Sequence, residues 1–170
     1  MSALQAPNKL QRSLMRLDEA PAFMRGLVQN IILRRAVPFT GTAWVRFVSL
    51  APDRVEVHLA NERRVQNHIG GVHASAMNLL AETATGMVVG MNVRDDCIPL
   101  AKELSMAFKK RATGGLKAVA TLSAEQRAAM RATDKGEVQV QVTVTDEAGI
   151  EPVECEFTWA WIPSSRPSKN

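Results

Sequence analysis

The stretch from Val72 to Val93 constrains this chain more than any other. Histidines aside, Glu82 is the only charged side chain between Arg64 and Arg94, and its neighbours Leu79, Leu80, Ala81, Ala84 and Met87 are apolar. A run of that length could span a bilayer. A carboxylate at its centre, no aromatic belt and strand-like segments after it predict a helix buried inside a folded domain instead. A helix that is apolar nearly all round must be covered nearly all round. The rest of the chain has to wrap it.

The flanking segments carry that patterning. Gly41–Leu50, with Trp44, Val45, Phe47 and Val48, reads as a strand, and Arg54–Ala60 alternates Val55, Val57 and Leu59 with Glu56 and His58. Ala51-Pro52-Asp53 between them is turn chemistry. Beyond the helix, Leu100–Arg111 puts Leu104, Met106 and Phe108 on one face, and Thr113-Gly114-Gly115 turns the chain into Leu116–Leu122. Ser123–Asp134 is a polar excursion with helical propensity. Glu137–Thr145 alternates Val138, Val140, Val142 and Val144 with glutamine and threonine, and the closing strand aligns Val153, Cys155, Phe157, Trp159 and Trp161.

Two strands, one helix and four further strands predict an α+β domain. Its antiparallel sheet, of about six strands, curves around the central helix and is completed by a second subunit. Ahead of it, Asn8–Arg35 reads as two short amphipathic helices broken at Pro21, with Leu10, Leu14 and Leu17 in one stripe. The expected organisation is a helical extension over residues 1–38, the main domain over 39–163 and a polar tail over 164–170.

Composition narrows the classes. Hydrophobic residues make up 46% and charged residues 22%, a globular balance rather than a disordered one. The net charge of +4 is too small to argue for nucleic acid, but it suits an anionic small molecule. Arg12, Arg16, Arg25, Arg34 and Arg35 leave a membrane- or nucleic-acid-binding role open for the first helices. Cys97 and Cys155 form neither a metal motif nor a disulfide framework, and the first residues carry no apolar export signal; reduced thiols in a cytoplasmic protein are expected. No metal or redox cofactor is implied.

Chemistry concentrates around the central helix. Gly70 and Gly71 form an approachable loop before a helix starting near His73, whose first amides are unpaired and carry the positive end of the helix dipole. Such an end can hold a developing oxyanion. An ionised Glu82 in apolar surroundings needs a partner, a wet cleft or a shifted pKa. It is either a functional carboxylate or half of a buried ion pair. Glu82 follows His73 by nine positions, so at ~100° per residue the two project from opposite sides, roughly 13 Å apart along the axis. Two antiparallel neighbouring helices in a dimer could bring Glu82 of one chain to the helix start of the other.

The segment His73-Ala-Ser-Ala-Met-Asn-Leu-Leu-Ala-Glu82-Thr-Ala-Thr-Gly86 resembles the helix signature of hotdog-fold thioesterases. Those proteins read His-Gly-Gly, several apolar residues, then Ala-Asp or Ala-Glu at the same spacing. With the strand order, the resemblance covers Phe39–Pro163. It is nearest an uncharacterised thioesterase branch related to the phenylacetyl-CoA and 4-hydroxybenzoyl-CoA groups. The resemblance implies an acyl-CoA thioesterase, a homodimer or dimer of dimers, with Glu82 as nucleophile or general base. It gives the Ala74 amide to the thioester carbonyl, and Asn67 (or Gln66) to orienting water or substrate. The chain departs from the pattern where Ala74-Ser75 replaces Gly-Gly, which leaves a second possibility, an acyl-CoA- or lipid-binding hotdog protein without turnover.

Remaining candidates follow from position. His73, at the helix start, is expected to orient rather than to act as base, and His58 and His68 read as surface and loop residues. Lys102 shares the parity of Leu104, Met106 and Phe108 and is expected to point inward, where it could pair with Glu82. Lys109, Lys110 and Arg111 form a basic cluster beside a Gly-Gly turn, suited either to coenzyme A phosphates or to plain solvation. With Gly71 they complete the expected substrate-binding set.

Overall fold

The computed structural model describes residues 6–18 and 21–164; the five N-terminal residues, the link before Pro21 and the tail beyond Ser164 lie outside the described residues. The chain order is α1 (Lys9–Asp18), α2 (Ala22–Ala36), α3 (Pro38–Ala43), β1 (Arg46–Leu50), β2 (Arg54–Leu59), a 3-10 turn (Arg63–Val65), α4 (Ala74–Gly90), β3 (Cys97–Phe108), β4 (Leu116–Thr121), α5 (Ala124–Ala132), β5 (Gly136–Asp146) and β6 (Val153–Pro163). The six strands form one sheet in the order β1-β2-β4-β5-β6-β3, and every neighbouring pair is antiparallel. This is the six-stranded curved sheet expected from the sequence.

The sheet closes on α4. Val55, Val57 and Leu59 from β2, Ala118 and Ala120 from β4, and Val140 and Val144 from β5 are all buried with Leu80, Ala81, Ala84, Val88 and Val89 of the helix. The alanines of β4 matter here: small side chains under the helix let it sit close, while flanking valines fill the sides. Trp159 reaches the helix from β6, its indole N–H donating to Thr85 Oγ1 at 3.0 Å.

The N-terminal helices are tied to this core by buried polar side chains. Asn8 caps α1 reciprocally with Gln11 and donates to the carbonyls of Gly90 and Val93 at the end of α4. Asn30 of α2 bonds both backbone groups of Phe47 on β1. Leu10 and Leu14 pack on the core, as their stripe predicted. The expected strand over Gly41–Leu50 needs correcting. Pro38 opens the short helix α3, which runs through Ala43, and β1 begins only at Arg46. Trp44 turns the chain between them with φ 59° and ψ 38°. Pro at a helix start and Gly41 inside it misread easily as loop-then-strand punctuation.

Candidate active site

The loop before α4 is built around Asn67. Its Oδ1 accepts from the amides of Ile69 and Gly71, its backbone pairs with Gly71, and Asn61 holds the Gly70 carbonyl from outside. Gly70, with φ +75°, is the position that requires glycine; Gly71 adopts no such conformation. Asn67 therefore shapes the loop with the oxygen that was expected to orient water. Its neighbour Gln66 instead faces the helix start.

His73 caps α4. Its Nδ1 accepts from the Ser75 amide at 3.0 Å, and its carbonyl accepts from Ala76 and Met77. The ring serves here as an acceptor fixed to the backbone. These bonds occupy the amides of Ser75, Ala76 and Met77 and leave Ala74's N–H as the first free donor of the helix. Beside it opens a cavity of about 210 Å³, lined by Phe39, Thr42 and Ala43 of α3, by Arg64, Val65 and Gln66, and by His73, Ser75, Ala76 and Leu79. Apolar walls with a few polar groups at a helix N-terminus suit a small acyl group with a polarised carbonyl.

Glu82 is absent from that cavity, as the helical spacing requires. It lies half-buried on the one incompletely covered stripe of α4, which runs Ser75, Asn78, Glu82, Gly86 at helical spacing. No cation approaches it among the described residues, and burial pushes its carboxyl above the ordinary glutamate value. Asn78, one turn earlier, has a buried Oδ1 with no hydrogen-bond partner among the described residues. The sequence reading passed over Asn78. Its signal was present, since it is the one amide side chain inside the apolar run of the helix.

The inward reading of Lys102 is overturned. The ladder between β3 and β6 shifts register between Ala101 and Glu103, so Lys102 is the extra residue of a β-bulge. The bulge inverts the parity that placed Lys102 with Leu104. Its ammonium pairs with Glu137 across the outer face of the sheet, away from α4 and Glu82. Lys102 thus forms an exposed surface pair.

The basic cluster is divided. Lys109 is paired with Glu154, Lys110 is exposed, and Arg111 reaches toward the carbonyl of Ile69 at 3.5 Å. Only Arg111 is thereby brought against the loop that precedes α4. His58 lies in a surface relay with Arg46 and Glu56, and His68 is exposed in the loop. Cys97 and Cys155 are both free thiols; burial pushes Cys155 up to about 11. No helix among the described residues is long and apolar enough to cross a membrane.

An antiparallel sheet curved around one central helix, with a capped helix start and an inward carboxylate further along, defines a hotdog-fold protein. Solved structures bear this out. A Pseudomonas aeruginosa protein of unknown function, designated a probable thioesterase, matches with TM-score 0.72 and 23% identity, over 80% of this chain and 94% of its own. A thioesterase from Haemophilus influenzae matches with TM-score 0.65 and 13% identity, over 82% and 93%. A thioesterase family protein from Silicibacter pomeroyi matches with TM-score 0.61 and 16% identity, over 78% and 94%. No curated protein matches the chain. The chain belongs to the DUF4442 family, a domain of unknown function, whose model matches residues 26–162.

Proposed function

We propose that this protein hydrolyses an acyl thioester carried on coenzyme A, in a cytoplasmic homodimer or dimer of dimers whose site is shared between chains. One observation carries the reading. A half-buried carboxylate without a counter-charge, Glu82, shares a helix with a free N-terminal amide and an apolar cavity on its other side. One chain cannot bring the two together, whereas an antiparallel pair of α4 helices does. The twelve-residue strand β3, bonded only to β6 on one side and carrying exposed Leu104 and Phe108, supplies an edge where a second copy can join.

In this reading the acyl carbonyl lies at the start of α4, its oxygen toward the Ala74 amide. Glu82 of the neighbouring chain takes a proton from water as the water oxygen attacks the carbonyl carbon, or its own oxygen attacks directly to give a mixed anhydride that water then hydrolyses, supplying the proton. The developing oxyanion is held by the amide, the C–S bond breaks, and the carrier leaves as a thiolate that takes up the proton. A carboxyl raised above the ordinary range is a stronger base once ionised, which suits the first route.

The test is thiol release from short, long and aromatic acyl-CoAs, with products also followed chromatographically because Cys97 and Cys155 are free. Glu82→Gln, still folded, is expected to lower turnover by roughly 10²–10⁴-fold. Equal rates in the two proteins would shift the assignment to an acyl-CoA- or lipid-binding hotdog domain. Alanine and serine where relatives have paired glycines are the feature favouring that second reading.

A further inference from the structure

Trp44 is an unusual residue to find where it stands. It is the only non-glycine with a positive φ among the described residues, at a helix end where glycine or asparagine is the unstrained choice. The residue is 55% exposed. The guanidinium groups of Arg34 and Arg64 both lie over the Trp44 ring, 4.8 and 4.7 Å from its centroid.

Arg34 is held by neutral carbonyls. It donates from Nε to the Val45 carbonyl at 2.8 Å and from Nη2 to the Trp44 carbonyl at 3.3 Å, which leaves other N–H donors unspent. No carboxylate pairs with Arg34 among the described residues, and burial together with the charge of Arg64 pulls its pKa down. Arg64 pairs at the surface with Glu62. Arg46, next along, meets Nδ1 of His58 at 2.9 Å. Arg34 and Arg64 thus share one exposed aromatic ring, and of the two only Arg64 has a carboxylate partner among the described residues. The cleft in front of Trp44 has a volume of about 540 Å³, with Arg34, Arg46 and Lys117 on its wall together with the acids Glu62, Asp146 and Glu147. Asp146 is occupied by three backbone amides, those of Thr113, Ala148 and Ile150.

The cleft adjoins the candidate active site. Ala43 lines both cavities, and Arg64 lines the one at the α4 start while stacking on the Trp44 ring that borders the other. We propose that Trp44, Arg34 and Arg64 bind the phosphate-bearing nucleotide of the thioester's carrier, with Arg46 as a further phosphate contact. The inference rests on the hydrolase reading for the reactive end of that ligand. It assigns the nucleotide to these residues rather than to Lys109–Arg111. The ring fixes two guanidinium planes, and their outward N–H groups meet phosphate oxygens in charge-assisted bonds.

The test uses adenosine 3′,5′-bisphosphate on the full chain, read by calorimetry and by tryptophan fluorescence. Trp159 and Trp161 are buried, so quenching reports Trp44. Expected is saturable binding that weakens with salt and falls about tenfold in Arg64→Gln, a surface change with little hold on the fold. Trp44→Gly, which relieves the backbone, is expected to lose binding while keeping the melting temperature. On substrates, Arg64→Gln is expected to raise KM for an acyl-CoA about tenfold more than it raises KM for the acyl-pantetheine thioester. Nucleotide binding equal in Trp44→Gly and wild type overturns the site, as does inorganic phosphate binding as tightly as the nucleotide. If no thioester is turned over, the hydrolase reading fails while the nucleotide titration still decides this one. If acyl-CoA and acyl-pantetheine respond identically to Arg64→Gln, the nucleotide site fails and the hydrolase reading stands.

Discussion

Along β2 and β4 the concave face of the sheet is shut: Val55, Val57, Ala118 and Ala120 are 0% exposed beneath α4. Along β3 the same face stands open, with Leu104 48% and Phe108 55% exposed. Their cross-strand partners Phe157 and Val153 on β6 are buried. Both regions carry the same alternation of apolar residues. What separates them is the cover of one helix, which buries the face of β2 and β4 and leaves Leu104 and Phe108 of β3 exposed. Glu82 sits on the incompletely covered stripe of that helix, half-way between the two conditions. A hydrophobic pattern therefore fixes which way a side chain faces, and a neighbour decides whether it is buried.

The largest effect is expected in the closed half. Leu80 is fully buried in the middle of α4, and Leu80→Ala should cost about 2–5 kcal/mol, a fall of roughly 5–15 °C in melting temperature. Leu104→Ala should cost under about 1 kcal/mol if the open half stays open. Thermal melts of the pair at several protein concentrations break the comparison if Leu104→Ala is equally costly. In that case a second copy covers β3, and Leu104→Glu should convert a dimer to a monomer in light scattering.

A smaller effect is expected at the seam. A Cβ added at Gly86 would meet Trp159 Cη2 at 2.9 Å and Cζ2 at 3.0 Å, and the indole is held by its bond to Thr85. In an open helix, glycine to alanine gains about 1 kcal/mol. Here overpacking of about 1–3 kcal/mol outweighs it, so Gly86→Ala should lose about 1 kcal/mol in a denaturant titration. A gain would mean that Trp159 moves freely, and that the seam belongs to the open half.

How much of this the sequence disclosed follows the same division. The central helix, its start at His73, five of the strands and the opposite projection of His73 and Glu82 were legible because each depends on local periodicity. Three things were not. A bulge adds one residue without a sequence mark, so the inward reading of Lys102 failed although Leu104 and Met106 were read correctly. Pro38-Phe39-Thr40-Gly41 has the composition of a turn and forms a helix, because α2 and the 3-10 turn pack against it. The gathering of arginines on Trp44 depends on residues far apart in the chain, which no window of sequence brings together.

The smallest effect is the most discriminating, and it turns on the sign of a titration. Burial raises the carboxyl of Glu82 above the ordinary glutamate value of 4.5. Between that value and the raised one, the folded chain holds a proton that the unfolded chain has lost, so stability declines as pH rises through this window. The cost of the charge is full above the window and absent below it. Glu82→Gln removes that cost, and should therefore melt about 1–3 °C higher than the parent near neutral pH. The difference should vanish near pH 4. The sign reverses if the assembled protein supplies a cation or hydrogen-bond donors to the carboxylate from a second chain. The glutamine variant would then melt lower at neutral pH, and the open half would be the unfinished side of a shared site.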